Sequence, residues 1–323
     1  MKMQVTVIIM VCCVAISCAR DITKVTIAKK PLPDNFTVVK PEKIAVTNDA
    51  VTCTIYAKRF AQGNVAYCEI IPARDVKSLS VKFIDTEIVL SKKKWGYRGF
   101  FAIDPDLKPG VYHCAIHGDT FHIEIPVTIK RSFFPVSVIP MEFDKFSQKD
   151  YIETPEVKQF IAECTKKKQK AFATRFDDCI QSTPYHPLNT HAINSAFWAK
   201  RRYLLYDSST KKRQTVTRIH RGIDLNGNSG EPVYAVLDGI VVLADKLFYE
   251  GNMVIINHGN GIFSYYMHME KLMVSSGDRV VAGQLIGAVG STGMSTGPHL
   301  HVSLMVHGVQ ANPLSLLVLP IKK

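Results

Sequence analysis

Glycine density sets the C-terminal third of the chain apart from the rest. From Gly222 onward glycines are frequent, and short valine-rich segments such as residues 239–243 and 253–257 lie between them. Apolar runs of this length, bounded by turn residues, are typical of β-strands, and no helical periodicity interrupts them. Residues 257–261 have the Asn-Gly chemistry of a hairpin turn. We therefore predict a compact antiparallel β domain over residues 191–323.

A second β region lies over residues 25–130. Short segments with alternating apolar residues are separated there by turn signals, as the half-buried strands of an antiparallel sandwich require. Tyr112 lies two residues before Cys114, which resembles the tyrosine corner of immunoglobulin-type domains, although their Cys-to-Trp spacing is absent. We expect an Ig-like β-sandwich that serves as a spacer or binding module, in a chain that is mainly β.

Residues 131–190 connect the two β regions. Over residues 150–178 the chain is polar with apolar residues at helical spacing, which predicts an amphipathic helix or a helical hairpin. Pro184 and Pro187 indicate a loop beyond it. We therefore expect a helical connector between the sandwich and the C-terminal domain.

The first 18 residues have the pattern of an export signal. Lys2 precedes an apolar run that ends in small residues, and the run is too short to span a bilayer comfortably. Two cleavage sites compete. One resembles a bacterial lipoprotein box and makes Cys18 the lipidated first residue, whereas the other suits an ordinary signal peptidase. We expect an exported protein of the periplasm or cell envelope, with membrane anchoring through a lipidated Cys18 as one option.

The formal net charge of the chain is +12. In an exported protein this charge favours an anionic wall polymer or lipid surface as partner, and we expect no nucleic acid. The alternative is that the lysine and arginine runs are solvated loops and helix faces.

Five cysteines follow Cys18, and none of them forms a Cys-x-x-Cys pair, so a thiolate metal site is not expected. An oxidising compartment permits one or two disulfides, and the predicted pair is Cys164 with Cys179. The odd number leaves at least one thiol free. The five are Cys53, Cys68, Cys114, Cys164 and Cys179.

Histidines recur at short spacing along the C-terminal β region. His299 and His301 flank Leu300, so on a strand both imidazoles share one face while Leu300 points into the core. The same spacing places Tyr266 and His268 on a common face. His220 and Asp224 are four residues apart, but Gly222 between them favours an extended or turned segment over a helix.

Two neutral imidazoles and one carboxylate form a suitable ligand set for a catalytic zinc ion with a fourth position open. Four histidines and an aspartate exceed what a structural site requires. The remaining histidines have ordinary interpretations. His258 and His307 are predicted to be surface residues, and His186 and His191 loop residues.

These motifs resemble those of the lysostaphin-type (LytM-like) zinc endopeptidases. The family pattern H-x-G-x-D stands at residues 220–224, Y-x-H at 266–268 and G-D-x-V-x-x-G-Q-x-I-G at 277–287. The pattern G-S-T-G-x-S-T-G-P-H-L-H stands at 290–301. One departure follows the last histidine, where many members carry Phe-Glu and this chain carries Val302-Ser303.

The resemblance implies that His220, Asp224 and His301 bind one zinc ion per chain. It also implies that His268 and His299 flank the open position, where they accept a proton, stabilise the oxyanion or protonate the leaving amine. Tyr266 has either a hydrogen-bonding role toward the oxyanion or a packing role.

The implied activity is hydrolysis of peptide cross-links in bacterial peptidoglycan by a zinc metalloendopeptidase. Two alternatives stay open. The chain is a catalytically silent activator of other cell-wall hydrolases, or it is a zinc protease with a protein substrate.

Overall fold

The computed structural model describes residues 39–142, 154–188, 192–206 and 210–322. The predicted signal sequence, Cys18 and His191 lie outside these residues. The described chain is mainly β, as the sequence predicts, and its sheets are largely antiparallel. No helix among the described residues is long and apolar enough to cross a membrane.

In residues 39–130 nine strands form two antiparallel sheets, in the orders β1-β2-β3-β7-β6 and β5-β4-β8-β9. Inward-facing side chains of the two sheets meet in one buried cluster, as in a sandwich. The Tyr112 hydroxyl donates to the carbonyl of Lys108 at 2.7 Å, which is the hydrogen bond of a tyrosine corner. The strands are β1 (Glu42–Thr47), β2 (Val51–Ala57), β3 (Val65–Pro72), β4 (Leu79–Phe83), β5 (Thr86–Glu87), β6 (Leu90–Lys93), β7 (Gly96–Ala102), β8 (Gly110–Gly118) and β9 (His122–Ile129).

The connector is helical only in part, which corrects the prediction for residues 131–190. Strand β10 (Val136–Glu142) opens it, and the described residues 154–188 contain a single helix, α1 (Pro155–Phe172). The Thr154 side chain caps this helix by accepting from the Val157 amide at 3.3 Å. Residues 173–188 continue as irregular chain, and Pro184 and Pro187 near its end lack the amide hydrogen of a regular backbone pattern.

The described residues 192–206 and 210–322 contain thirteen strands and a short helix α2 (Pro313–Leu316). The largest sheet runs in the order β11-β14-β22-β18-β17-β16-β20, with β23 beside β22. Strands β12 and β13 form a hairpin whose β12 pairs in parallel with β10. The strands are β11 (Ile193–Ser195), β12 (Lys200–Tyr206), β13 (Arg213–Ile219), β14 (Ile223–Asn226), β15 (Pro232–Tyr234), β16 (Gly239–Leu247), β17 (Gly251–Gly259), β18 (Ile262–Met269), β19 (Lys271–Leu272), β20 (Arg279–Val280), β21 (Leu285–Ala288), β22 (His299–Val306) and β23 (Val309–Ala311).

The predicted Asn-Gly turn joins β17 to β18. Asn260 and Gly261 both have positive φ, at 51° and 72°, as the two central residues of a type I′ hairpin turn require. One face of the resulting sheet packs into the main core, and α1 covers part of the other face through Cys164 and Ala171. The central strands are therefore buried on both sides.

The predicted Cys164–Cys179 disulfide is absent from the structure, where all five described cysteines are free thiols. Cys164 lies on α1 and packs among apolar side chains of β16, β17 and β18. The Cys179 thiol instead donates to the carbonyl of Asp177 at 3.3 Å. The two cysteine side chains therefore make their contacts in different parts of the structure.

A buried ion pair joins the sandwich to the rest of the chain. Arg98, on β7, is 0% exposed, and its guanidinium donates to both carboxylate oxygens of Asp178 at 2.6 and 2.7 Å. It also donates to the carbonyl of Lys322 at 2.7 Å. Burial alone would raise the pKa of Asp178, but Arg98 and Lys93 lower it, so the carboxylate stays charged. One arginine thus connects β7, the connector and the C-terminal segment.

Replacing Asp178 with Asn should lower the free energy of unfolding by about 3–5 kcal/mol, because it leaves the buried Arg98 charge without its partner. Urea denaturation followed by circular dichroism measures this change. The matched control is Asp245→Asn, which breaks the exposed ion pair with Lys167 at 2.7 Å and should cost about 0–1 kcal/mol. Equal effects of the two substitutions would show that burial does not set the strength of the Arg98 pair.

Candidate metal centre

The pairing of β14 with β22 brings the first two site residues together. These strands are antiparallel, with Asp224 directly opposite His301 and Leu225 directly opposite Leu300. Directly opposed residues share one face of a sheet. Asp224 and His301 therefore lie on one face while Leu225 and Leu300, both 0% exposed, pack into the core on the other.

Gly222 allows the His220 side chain to approach Asp224 and His301. A Cβ at this position would lie 2.4 Å from the Ser303 hydroxyl oxygen and 2.5 Å from His301 Nε2. The chain before β14 therefore passes directly against β22, which a larger residue would prevent. Because His220 lies in this segment, its imidazole stands beside that of His301, with the ring centroids 4.9 Å apart.

Three ligand atoms converge at this point. His220 Nε2 lies 3.0 Å from His301 Nδ1, and Asp224 Oδ1 lies 3.0 and 2.8 Å from these two nitrogens. In a tetrahedral site with bonds of about 2.0 Å the ligand atoms stand about 3.3 Å apart, so the three atoms are spaced as a small metal ion requires. Among the described residues this is the one group of three or more potential ligands gathered in this way.

The outer nitrogens of the two imidazoles have hydrogen-bond partners. His220 Nδ1 donates to the carbonyl of Ala196 at 3.0 Å, with the Ser195 hydroxyl at 3.1 Å. His301 Nε2 lies 2.8 Å from the Ser303 hydroxyl. The tautomer that donates from the outer nitrogen leaves a lone pair on the inner nitrogen, which a metal ion can use. Such outer hydrogen bonds are the usual support of metal-binding histidines.

The charges of the cluster also suit a cation. Burial alone would raise the pKa of Asp224, but the imidazoles of His220 and His301 outweigh burial and lower that pKa far below its usual range. Burial lowers the pKa of His301, so this imidazole is neutral near pH 7. An ionised carboxylate and two imidazoles, each able to offer its inner nitrogen, form a donor set that fits a divalent metal ion.

His299 and His268 lie beside this cluster. His299 Nε2 is 3.8 Å from Asp224 Oδ1, and its ring centroid is 4.9 Å from that of His268. Their Nδ1 atoms donate to the carbonyls of Gly297 and Thr292 at 2.8 and 2.9 Å. Burial lowers the pKa of His268 to about 4, so its imidazole is neutral near pH 7. In both rings the Nδ1 hydrogen is committed to a carbonyl, so Nε2 is the atom that can accept a proton.

The expectation that Tyr266 and His268 share a face is wrong. Tyr266 is 0% exposed, and its hydroxyl accepts from the Val236 amide at 2.8 Å inside the main core. His268 has a φ of 64°, and this left-handed residue ends the regular alternation of β18. His268 therefore turns toward the metal cluster, and Tyr266 has the packing role.

The five predicted site residues line one cleft of about 940 Å³. Its other walls come from the start of β10, from residues 193–201 and from the loop over residues 294–298. This volume lies within the range of ligand pockets in proteins. Ser303 and the carbonyls of Thr292 and Gly297 were not predicted as supporting groups. Of these groups, only Ser303 could have been identified from the sequence. It lies two residues after His301, and residues at this spacing on a strand share one face.

The expected surface position of His258 is wrong as well. This residue is 0% exposed on β17, where its ring nitrogens contact the carbonyl of Asp238 and the hydroxyl of Ser264, both at 2.8 Å. Burial lowers its pKa to about 4. His186 lies in a loop, as predicted, but is buried. His307 is half-buried, and its Nε2 donates to the carbonyl of Phe100 at 3.0 Å.

Residues 218–313 match Peptidase family M23. This segment contains all five predicted site residues. The resemblance to lysostaphin-type peptidases is thereby confirmed at the level of the family, and the chain carries a peptidase M23 domain.

Two Vibrio cholerae proteins are similar to this region. Peptidoglycan DD-endopeptidase ShyC is 41% identical over 96 residues, which cover 30% of this chain and 22% of that protein. Peptidoglycan DD-endopeptidase ShyA is 45% identical over 93 residues, which cover 29% of this chain and 22% of that protein. The similarity thus spans less than a quarter of either relative.

The likeness in fold extends further along the chain. A crystal structure from Pseudomonas aeruginosa, described as an M23 peptidase candidate, has a TM-score of 0.56 and 18% sequence identity. It covers 80% of this chain and 95% of that one. Since the M23 match covers only residues 218–313, the shared fold also includes part of the chain before it.

Replacing His220 or Asp224 with Ala should abolish metal binding, because two remaining ligands hold a divalent ion poorly. Elemental analysis of the purified full-length chain measures metal per protein. His113→Ala, at an exposed position on β8, is the control and should retain wild-type metal content. Full metal content in either ligand variant would overturn the ligand assignment.

Proposed function

We propose that this protein is a zinc metalloendopeptidase that hydrolyses peptide cross-links of bacterial peptidoglycan. The observation that carries the proposal is the convergence of His220 Nε2, His301 Nδ1 and Asp224 Oδ1 in a cleft that also presents two further histidines. The match to Peptidase family M23 supports the reaction class. The names of the relatives ShyC and ShyA support peptidoglycan as substrate.

His220, Asp224 and His301 would hold the zinc ion. Bound there, zinc would polarise the scissile carbonyl and lower the pKa of water toward about 7. Two nitrogen ligands and one oxygen ligand are a common set for catalytic zinc and leave one position open. The Ala196 carbonyl and the Ser303 hydroxyl keep the two ligand imidazoles in the orientation this requires.

His268 and His299 would handle the proton and the developing charge. Each has its Nδ1 tied to a backbone carbonyl, so the Nε2 atom is the one that faces the cleft and accepts a proton. After accepting it, the same nitrogen can donate to the oxyanion or to the leaving amine. His299 lies closer to Asp224 and is the better placed of the two to act on water.

A catalytically silent activator of other hydrolases is the main alternative. The described site holds the complete predicted set of three ligands and two flanking histidines, which favours an enzyme. Hydrolysis of a protein substrate is the second alternative, and no observation in the cleft favours it over peptidoglycan.

Digestion of purified peptidoglycan peptides with analysis of the products by mass spectrometry tests the proposal directly. The zinc-loaded full-length chain should release peptides cut at a cross-link, and a chelator should stop this. Absence of cleavage by zinc-loaded protein would leave the silent activator as the better explanation. Cleavage of a protein but not of wall peptides would favour the second alternative.

Replacing His268 or His299 with Ala should lower turnover of wall peptides by about 10²-fold or more, the usual scale for a lost acid–base or oxyanion group. The zinc content should stay at the wild-type level, because neither side chain belongs to the ligand cluster. His113→Ala again serves as the control and should keep full turnover. Near-native turnover in both variants would remove these histidines from the mechanism.

Export to the periplasm or cell envelope is a further part of the proposal, and it rests on the signal-like residues 1–18. Lipidation of Cys18 would anchor the protein firmly, because bacterial lipoproteins carry several acyl chains. Cys18→Ser should then move the protein from the membrane fraction to the soluble fraction, as measured by immunoblotting. Wild-type protein that is already soluble and begins at residue 20 would contradict lipidation.

A further inference from the structure

Arg201 is the one lysine or arginine among the described residues that line the catalytic cleft. It lies near the start of β12, and 41% of its side chain is exposed. Its guanidinium donates one hydrogen bond, from Nη2 to the Ser195 hydroxyl at 2.9 Å. The other described groups give it no second hydrogen bond, so most of its five N–H donors are open to a ligand.

Asp224 is a poor counter-ion for Arg201. The nearest approach, from Arg201 Nη2 to Asp224 Oδ2, is 4.0 Å, which is too long for a hydrogen bond. The other carboxylate oxygen, Oδ1, faces His220 and His301 in the ligand cluster. The approach of Asp224 therefore leaves the remaining N–H donors of Arg201 unoccupied.

The surroundings of Arg201 suit a carboxylate. Ser137, its register partner on the parallel strand β10, is exposed and lines the same cleft, so this wall also offers a hydroxyl donor. The planar guanidinium binds a carboxylate through two parallel hydrogen bonds more specifically than a lysine does.

We propose that Arg201 forms a subsite that binds a free carboxylate of the peptide substrate near the scissile bond. The inference rests on the proposed peptidase function and makes it narrower, because it identifies the preferred substrates as acidic peptides. The position of the subsite follows from Arg201 itself, whose guanidinium approaches the carboxylate of the ligand Asp224 to 4.0 Å. A bound carboxylate would thus hold the substrate backbone over the metal cluster.

A positioning role is the competing explanation for Arg201. Its hydrogen bond to Ser195 contacts a hydroxyl that lies 3.1 Å from His220 Nδ1, so loss of the guanidinium could disturb a metal ligand. The two roles differ in one respect. A positioning residue affects every substrate equally, whereas a carboxylate subsite affects only substrates that carry the carboxylate.

The test uses a cross-linked wall peptide and a set of derivatives, each with one free carboxylate converted to a carboxamide. For the zinc-loaded full-length chain, one amidated form should show kcat/KM lower by about 10- to 100-fold, the scale of a lost charge-assisted hydrogen bond. Arg201→Gln should lower kcat/KM for the parent peptide by a similar factor and should no longer distinguish it from that amidated form. Zinc content should be unchanged.

The matched control is Arg202→Gln, which removes the same charge one residue along β12 at an exposed position outside the cleft. It should behave as the wild type. Equal cleavage of all amidated forms by the wild type would overturn the subsite. A loss in Arg201→Gln that is equally large on every peptide would also overturn it and would assign Arg201 a positioning role.

Failure of the proposed function is distinguishable from failure of the subsite. If the wild type cuts no peptide at all, the proposed function fails, and isothermal titration with the same peptides then decides the subsite alone. Wild-type protein should bind the parent peptide more tightly than the critical amidated form, and Arg201→Gln should bind both with equal affinity. Equal binding of both forms to the wild type would refute the inference.

Discussion

The register between β14 and β22 determines where the chemistry of this protein takes place. It sets Asp224 opposite His301 and Leu225 opposite Leu300, so the same pairing assembles two ligands on one face and fills the core on the other. A slip of one residue would exchange the two faces and bury the ligands in apolar surroundings. The core therefore enforces the site, because burial of the leucines is favourable only in the register that joins the ligands.

The rigidity of this pairing comes from what surrounds β22. Its neighbours β14 and β18 complete its hydrogen bonds, and its apolar side chains belong to the main core. That core also includes Tyr67 and Phe100 on the outer face of the sandwich, so the N-terminal β region supports the site strand through direct packing. The buried ion pair of Arg98 with Asp178 secures the same contact. Ligands carried by rigid strands are held more accurately than ligands carried by loops.

The alternation of side chains along a strand predicted those parts of the site that lie on regular strands. It placed His299 and His301 on one face with Leu300 in the core, because β22 is regular there. It failed at His268, whose positive φ of 64° cannot be read from the sequence, since such a φ is uncommon for any residue other than glycine. It also failed at His258, because a buried imidazole whose two nitrogens are both satisfied has the same sequence signature as an exposed one.

The strained conformation of His268 persists because three contacts define it. Its amide donates to the carbonyl of Glu250 at 2.9 Å, its carbonyl accepts from the Thr292 amide at 3.3 Å, and its Nδ1 donates to the Thr292 carbonyl. Gly293, beside Thr292, makes this possible, since a Cβ there would lie 2.2 Å from the Gly251 amide nitrogen. The loop over residues 290–298 therefore acts mainly through its backbone. It places one carbonyl behind His268 and another behind His299, and both imidazoles consequently present the nitrogen that accepts a proton. Close backbone approach explains two glycines of this loop, since a Cβ at Gly290 would lie 2.3 Å from the Glu270 amide nitrogen and Gly293 packs as closely on Gly251, whereas a Cβ at Gly297 would meet nothing within 4 Å.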